Sequence, residues 1–442
     1  MRRWAQAGVL SGLLIATGAL GLWWKSQGPP PNIVLILGCT LRRDQLTPYG
    51  APPNVSPFVA EVRAEGTLFT DVIASSSWTK ESSTALLTGH PASTVGMTEP
   101  LRRHSTRVLP QQLTTLAEQL SSHGYGTVGV TANPHLNSTY GFDQGFDHYE
   151  DTSSRGFSLQ NKIPGREVVA RGLALLDQRD PKTTRPFYMQ LVLIDPHQPS
   201  KVSPKRVSPF QGPGISERLA SYRANVRQVD NALRSLDEGL RARGYTPENT
   251  IFVLVADHGE GLNLPEHHRQ QHGRVLYPSL TSVPWILRGP GVQEGHTVTG
   301  LASHVDVMPT LLDLAGIEPE GGEGTSWATA ASGWRGQTSR QQAFTETWYF
   351  GANRAAIVTP ETACQRDWGT VGIPDDTFVQ GCFHRDTDPD WITPHTDAPL
   401  LAELQAWRDR TQRAYDRFGA ADDADDAVGT REQLKALGYV ED

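Results

Sequence analysis

The sequence predicts an α/β fold: a large, mostly parallel β-sheet with helices on both faces, followed by a smaller C-terminal part. Three observations predict it. Short apolar runs alternate with segments of helical periodicity from about residue 32 to residue 314, the signature of βαβ units. Some of those runs, such as "IVLIL" and "IFVLV", show no polar alternation, as strands covered on both faces do not. From about Glu318 the texture changes to Gly- and Ser-rich stretches and short alternating runs.

The elements follow in order. Strands are expected at 32–37, 67–73, 126–131, 187–194, 250–256 and 283–287. Helices are expected at 56–65, 82–87, 113–122, 167–177, 217–243 and 305–314. The 217–243 segment carries Leu219, Tyr222, Val226, Val229, Leu233 and Leu236 at helical spacing, which is ordinary packing against a sheet. Short runs at 343–349, 355–358 and 378–383 suggest a small antiparallel sheet, and an acidic stretch covers 420–426. The expected domains are 32–317 and 318–442.

The chain has 442 residues, enough for one large α/β domain and a smaller one. With 38% hydrophobic and 20% charged residues it is a folding composition, not a disordered one. A net charge of -8 without a basic stripe argues against nucleic acid as a partner. Arg2 and Arg3 precede an apolar stretch over 7–24, and Pro29 to Pro31 cut it off. Residues 1–25 read as a signal peptide or a single membrane anchor, with 26–31 as a linker. Trp23 and Trp24 sit where an interfacial aromatic belt would. The basic flank stays inside, so the rest of the chain is expected outside the cytoplasm, anchored or secreted, and periplasmic in a bacterium. An oxidising compartment then favours a Cys364–Cys382 disulfide and leaves Cys39 unpaired.

Three strand ends carry polar clusters: Cys39-Thr40, Asp195-Pro196-His197 and Asp257-His258 in "VADHGEG". In an open sheet such ends face one crevice. Any one of them alone is more often an Asx turn or a cap. Carboxylate and imidazole converging from three strands suit a divalent metal. A fourth piece is "SSSWTKESSTALLTGH", a hydroxyl-rich turn leading into a helix. Thr79 there is a plain N-cap on the bland view, and a nucleophile beside a metal on the functional one.

The segments "PNIVLILGCTLRRDQLTPYG", "SWTKESSTALLTGHPASTVGM", "GYGTVGVTANPHLNSTYGFDQGFDHYED", "LIDPHQP", "VADHGEGL", "QQHGRVLYPSLTSVPWILRGPGV" and "SHVDVMPTLLDLAGI" together resemble the sulfatase family of the alkaline phosphatase superfamily. They occur in family order over about residues 31 to 317, and "CFHRDTDPDW" and "LKALGYVED" resemble its C-terminal subdomain. The resemblance implies a large mixed sheet sandwiched by helices and a small four-stranded C-terminal sheet. It implies Asp257 and His258 as ligands of a divalent metal (calcium, magnesium, manganese or zinc), Thr79 at the nucleophile position, and His197 and His272 as catalytic histidines. Lys80 and Asn133 or His135 fall in segments that hold the ester anion.

Three departures stand out. The family's first metal-binding aspartate falls on Cys39, and a thiolate suits zinc far better than calcium or magnesium. Formylglycine is not expected, because Thr79 cannot yield that aldehyde and the Pro and Arg of the modification motif are absent. Glu81 places a negative charge beside the anion's expected position, with Lys80 next to it. The expected function is an exported, metal-dependent hydrolase of a small anionic sulfate or phosphate ester, on a glycan or lipid, tethered to the membrane through the N-terminal segment. The alternatives are a sulfatase-fold binding module with an impaired site, and a phosphoethanolamine- or phosphoglycerol-type transferase.

Overall fold

The computed structural model describes residues 28–98, 107–151, 162–180, 182–198, 202–262, 272–334, 340–370 and 378–418. The expected N-terminal segment and part of its linker lie outside these residues. Among the described residues no helix is long and apolar enough to cross a membrane.

Twelve strands are described, β1 Asn32–Gly38, β2 Thr67–Ile73, β3 Gly126–Thr131, β4 His148–Glu150, β5 Phe187–Leu193, β6 Thr250–Ala256, β7 Trp285–Arg288, β8 His296–Ser303, β9 Ala343–Thr347, β10 Arg354–Val358, β11 Thr362–Asp367 and β12 Gly381–His384. The first eight form one sheet in the order β4-β3-β5-β1-β6-β7-β2-β8. Of these, β7 alone runs against its neighbours, pairing antiparallel with β6 and β2. The sheet is therefore mixed. In this sheet the short strand β4 and the eight-residue strand β8 escape the sequence reading. β4 has only three residues, and β8 interrupts its apolar residues with exposed ones.

β1 lies at the centre between β5 and β6, and Ile33 through Leu37 are fully buried. That explains its unbroken apolar run: both faces are covered. One covering layer is made by α1 (Pro57–Ala64), α4 (Gly165–Asp177) and α5 (Glu217–Arg241), which pack on one another. A second group is formed by α2 (Thr79–Thr88), α3 (Leu116–Ser122) and α6 (Val307–Leu314). The expected apolar stripe of α5 is buried, and Tyr222 on it also reaches polar partners. Its hydroxyl donates to the Thr40 carbonyl at 2.6 Å and accepts from the Arg42 N–H at 2.8 Å, tying the helix to the end of β1.

β9 to β12 form a second, antiparallel sheet in the order β12-β11-β10-β9. The last helix, α7 (Ala398–Phe418), packs on it, with Trp407 stacked on Phe344 at 4.7 Å. Cys364 and Cys382 face each other across β11 and β12 and are joined by a disulfide.

The two sheets meet at the turn before α2. The Glu346 N–H on β9 donates to the Ser75 carbonyl at 2.9 Å, and Ser76 bridges to Glu346 in the same register. Glu81 and Glu346 are both buried at this junction. The Ser76 hydroxyl donates to Glu81 at 2.5 Å, while Glu346 accepts from the Ser93 N–H at 2.9 Å and the Trp348 indole at 3.0 Å. Burial first, and the neighbouring Glu346 carboxylate next among the raising causes, push the Glu81 carboxyl from 4.5 up to about 8. Burial raises Glu346 as well.

A carboxyl raised in the folded state holds a proton that the unfolded chain has already lost. Stability therefore falls as pH rises from about 4.5 to about 8. Melting temperatures measured across this window are expected to drop with pH. Glu81→Gln should flatten most of that drop, and an unchanged slope in the variant would refute the assignment.

Candidate active site

The site is built by register. In the β1–β6 pair Gly38 lies opposite Ala256, so the residues that follow, Cys39 and Asp257, leave the sheet side by side. Thr40 takes a left-handed backbone conformation, φ 56°, which is strained for a β-branched residue. It turns its N–H onto Asp257 Oδ1 at 2.8 Å, and the His258 N–H donates to the same oxygen at 2.7 Å. The chain then turns at Gly259, where a Cβ would sit 2.0 Å from the Ser279 carbonyl. No other residue fits there.

Two N–H groups hold Oδ1 of Asp257, and Oδ2 faces Thr79. The Thr79 hydroxyl, at the first position of α2, donates to Asp257 Oδ2 at 2.8 Å and lies 3.2 Å from His258 Nε2 and 3.8 Å from Cys39 Sγ. His258 Nδ1 is 2.8 Å from the Gly259 carbonyl, which can only accept. Nδ1 therefore carries the proton, and Nε2 presents a bare lone pair toward Thr79. Burial pulls His258 below its ordinary value. Burial first, and then the Asp257 charge, push the Cys39 thiol well above its ordinary value.

The two other expected histidines close over this centre. The His272 ring lies 4.5 Å from His258 and 5.0 Å from His197. Its Nδ1 bonds Glu260 Oε1 at 3.0 Å, and its Nε2 is buried with no partner among the described residues. His197 donates from Nδ1 to the Gln198 carbonyl. Burial, then the nearby His272 and Lys162, hold it well below its ordinary value. The Trp78 ring stacks on His272 at 5.5 Å and on Tyr349 at 3.7 Å, and walls off one side.

Asn133 also reaches the centre, where its amide donates to Cys39 Sγ at 3.2 Å and its carbonyl accepts from the His135 N–H at 2.9 Å. The His135 ring packs edge-on against Trp78. Lys80 departs from the expectation of a ligand-facing ammonium. It is fully buried, lies 3.3 Å over the Tyr140 ring, and donates to the Arg107 carbonyl at 3.3 Å. The residue after the nucleophile position points off the first turn of the helix, and the Tyr140 face supplies a cation–π seat. Glu81 likewise turns to Ser76 and the junction of the sheets. The charges flanking Thr79 are thus committed to packing.

Two residues escape the sequence reading. Glu260 is fully buried and accepts from His272, from the Gln198 N–H at 3.1 Å and from the Gly261 N–H at 3.0 Å. Burial raises its carboxyl, but His272 and these bonds outweigh that and hold it below the ordinary value. Its signal was present two residues past His258. Lys162 donates to the His197 carbonyl, and burial lowers its ammonium to about 8 against the pull of Glu260, Cys39 and Asp195. "NKIPG" carries no motif that would reveal it. Asp195, next to His197, accepts the Gly165 N–H at 2.9 Å and serves as the cap of α4.

The donors around Thr79 are of types that bind cations, but they gather on its hydroxyl. Asp257 Oδ2, His258 Nε2 and Thr79 Oγ1 all bring lone pairs, and one hydroxyl proton is shared among them. Among the described residues no group of three or more His, Cys, Asp and Glu side chains is spaced to hold a metal ion. The threonine oxygen is the point around which the donors gather.

A family model described as Sulfatase matches residues 31–317. The chain is similar to the ulvan-active sulfatase of Formosa agariphila, 26% identical over 339 residues, covering 68% of this chain and 65% of that protein. It is also similar to the lipoteichoic acid synthase-like YvgJ of Bacillus subtilis, 28% identical over 232 residues, covering 48% of this chain and 36% of that one. The chain thus spans less than two thirds of either relative's length. The solved structure of BT4656 in complex with its substrate D-glucosamine-2-N,6-O-disulfate aligns with a TM-score of 0.70 at 18% identity, covering 90% of this chain and 100% of that one. With the large mixed sheet, the four-stranded C-terminal sheet and a family match over most of its length, the chain belongs to the sulfatase family.

Proposed function

We propose that this protein is a metal-dependent hydrolase of a small anionic ester, sulfate or phosphate, carried on a glycan or lipid. The observation that carries the proposal is the Thr79 hydroxyl, placed within 3.8 Å of Cys39, Asp257 and His258. The glycan class is supported by relatives that act on ulvan and bind a sulfated glucosamine. The Cys364–Cys382 disulfide supports folding in an oxidising compartment outside the cytoplasm.

In the reaction, Thr79 Oγ1 attacks the sulfur or phosphorus. Its proton passes to Asp257 Oδ2, the acceptor to which it already donates. The bond to the leaving oxygen breaks, and that oxygen takes a proton from His272 Nε2, the ring being held through Nδ1 by Glu260. Water then attacks the Thr79 ester and gives a proton back to His272, the bond to Thr79 Oγ1 breaks, and that oxygen takes its proton back from Asp257. A divalent cation held by Asp257, His258 and Cys39 would polarise the ester and lower the proton affinity of the hydroxyl. His197 is buried with its Nδ1 proton on the Gln198 carbonyl, so its Nε2 can only accept, and the Trp78–Tyr349 stack excludes water. A second reading, transfer of the esterified group to an alcohol, is favoured by the similarity to a lipoteichoic acid synthase-like protein and by the same threonine.

A panel of sulfate esters, phosphomonoesters and phosphodiesters, with and without an alcohol acceptor, tests the proposal. Thr79→Ala is expected to lower turnover by about four orders of magnitude or more, and chelation should mimic it. Turnover by the variant at the wild-type rate would sink the nucleophile assignment. If no substrate is turned over under any metal, the binding-module alternative gains. His272→Ala should cost about 10²–10⁴-fold on esters with poor leaving groups and much less on activated aryl esters. An equal loss on both would remove His272 from the proton-donor role.

A further inference from the structure

We infer that a cavity between the two sheets, apart from the catalytic centre, binds one anionic sugar unit, a uronate or a sulfated sugar. The inference rests on the reading of a glycan substrate and not on the chemistry at Thr79. The cavity has a volume of about 270 Å³. Sites for drug-sized ligands run to about 300–1,000 Å³, so this one has room for a single sugar ring. Arg43, Asp71 and Ser282 line it from the large sheet, and Arg385, Asp386 and Trp391 from the segment after β12. None of the residues gathered around Thr79 lines it.

Its walls are rich in unused donors. The β2–β8 register shifts between Phe69 and Asp71, and the Thr70 carbonyl at that shift accepts from Arg43. This is one of five guanidinium N–H donors, and among the described residues no carboxylate pairs with Arg43. Arg385 is different. It forks onto Asp71 at 2.6 and 2.9 Å and bonds the Thr359 carbonyl at 2.7 Å, so Asp71 balances its charge. Asp386 is exposed and solvated at the rim, whereas Arg43 is half-buried, and the unbalanced charge inside is therefore positive. A guanidinium with an open fork takes a carboxylate or a sulfate. The Ser282 hydroxyl and the Asp386 carboxylate, which make no hydrogen bond among the described residues, match sugar hydroxyls. A neutral sugar would leave Arg43 unmet, and a bare anion would leave Ser282 and Asp386 unused.

The wall opposite the large sheet is held in shape in advance. Trp391 is buried, stacks on Phe383 at 5.7 Å and has φ 61°, a left-handed conformation that is an outlier for a bulky residue. Its N–H bonds the Asp388 carbonyl at 3.2 Å, and the Asp388 carboxylate accepts from the Ile392 and Thr393 N–H groups at 2.9 and 2.8 Å. Backbone strain maintained in this way is a feature of ligand clamps.

The test uses the full chain carrying Thr79→Ala, so that an ester stays intact, and saturation-transfer NMR with D-glucuronate, galactose 6-sulfate and neutral galactose. At least one anionic sugar is expected to bind, and which one tells a uronate site from a sulfate site, while galactose should bind at least about tenfold more weakly. Adding Arg43→Ala should weaken binding about tenfold or more. Ser282→Phe, which fills the cavity, should abolish it. Melting temperatures identify the variants that fold, and either folded variant decides. Binding of neither anionic sugar, equal binding of galactose, or undiminished binding in a folded variant overturns the inference and leaves the hydrolase standing. Binding lost in the cavity variants, with no ester turned over by the wild type, upholds the cavity and removes the hydrolase.

Discussion

The in-register parallel pairing of β1 with β6 is the constraint on which the rest of the molecule depends. Because Gly38 lies opposite Ala256, Cys39 and Thr40 emerge beside Asp257 and His258. The Asp257 carboxylate is then saturated on one oxygen by the Thr40 and His258 N–H groups, leaving the other free for Thr79. A one-residue slip would reverse which side chains face the crevice. Both strands are buried from Ile33 and Thr250 onward, so the apolar core enforces the register that the polar site requires.

That arrangement is strained and costly locally. Thr40 is held at positive φ, and fully buried polar groups (Asp257, His258, Glu260) sit at strand ends where water cannot solvate them. Each is met by a backbone N–H or carbonyl: Asp257 by two N–H groups, His258 by the Gly259 carbonyl, and Glu260 by the N–H groups of Gln198 and Gly261. Buried polar groups are tolerable when satisfied in this way. The atoms left over, Thr79 Oγ1, His258 Nε2 and His272 Nε2, are those a substrate or cation would meet.

The small sheet takes part in positioning the site. β9 is bonded to the turn that delivers Trp78 and Thr79, and Tyr349 just past β9 stacks on Trp78. Glu81, in the first turn of the same helix, is buried at this junction beside Glu346. The helix that begins at Thr79 is thus clamped at its start between the two sheets, and Glu81 serves that clamp.

The long apolar runs of β1, β5 and β6, the stripe on α5 and the cysteine pair were legible in the sequence because each rests on local periodicity or composition. The polar residues at three strand ends were legible for the same reason: strand termini are visible where an apolar run stops. The strands β4 and β8 were not, since a short or half-exposed edge strand is defined by its neighbour's hydrogen bonds. Nor was the role of Lys80, whose seat on Tyr140 comes from a residue sixty positions away, nor that of Lys162, which reaches His197 from outside any motif. The sequence by itself determined the strands, the family and the identity of the donors: a cysteine, an aspartate, a histidine and a threonine. Only the tertiary structure decided that these four meet at one hydroxyl and that Glu260 backs His272. Long-range register and burial choose partners, and no local pattern encodes them.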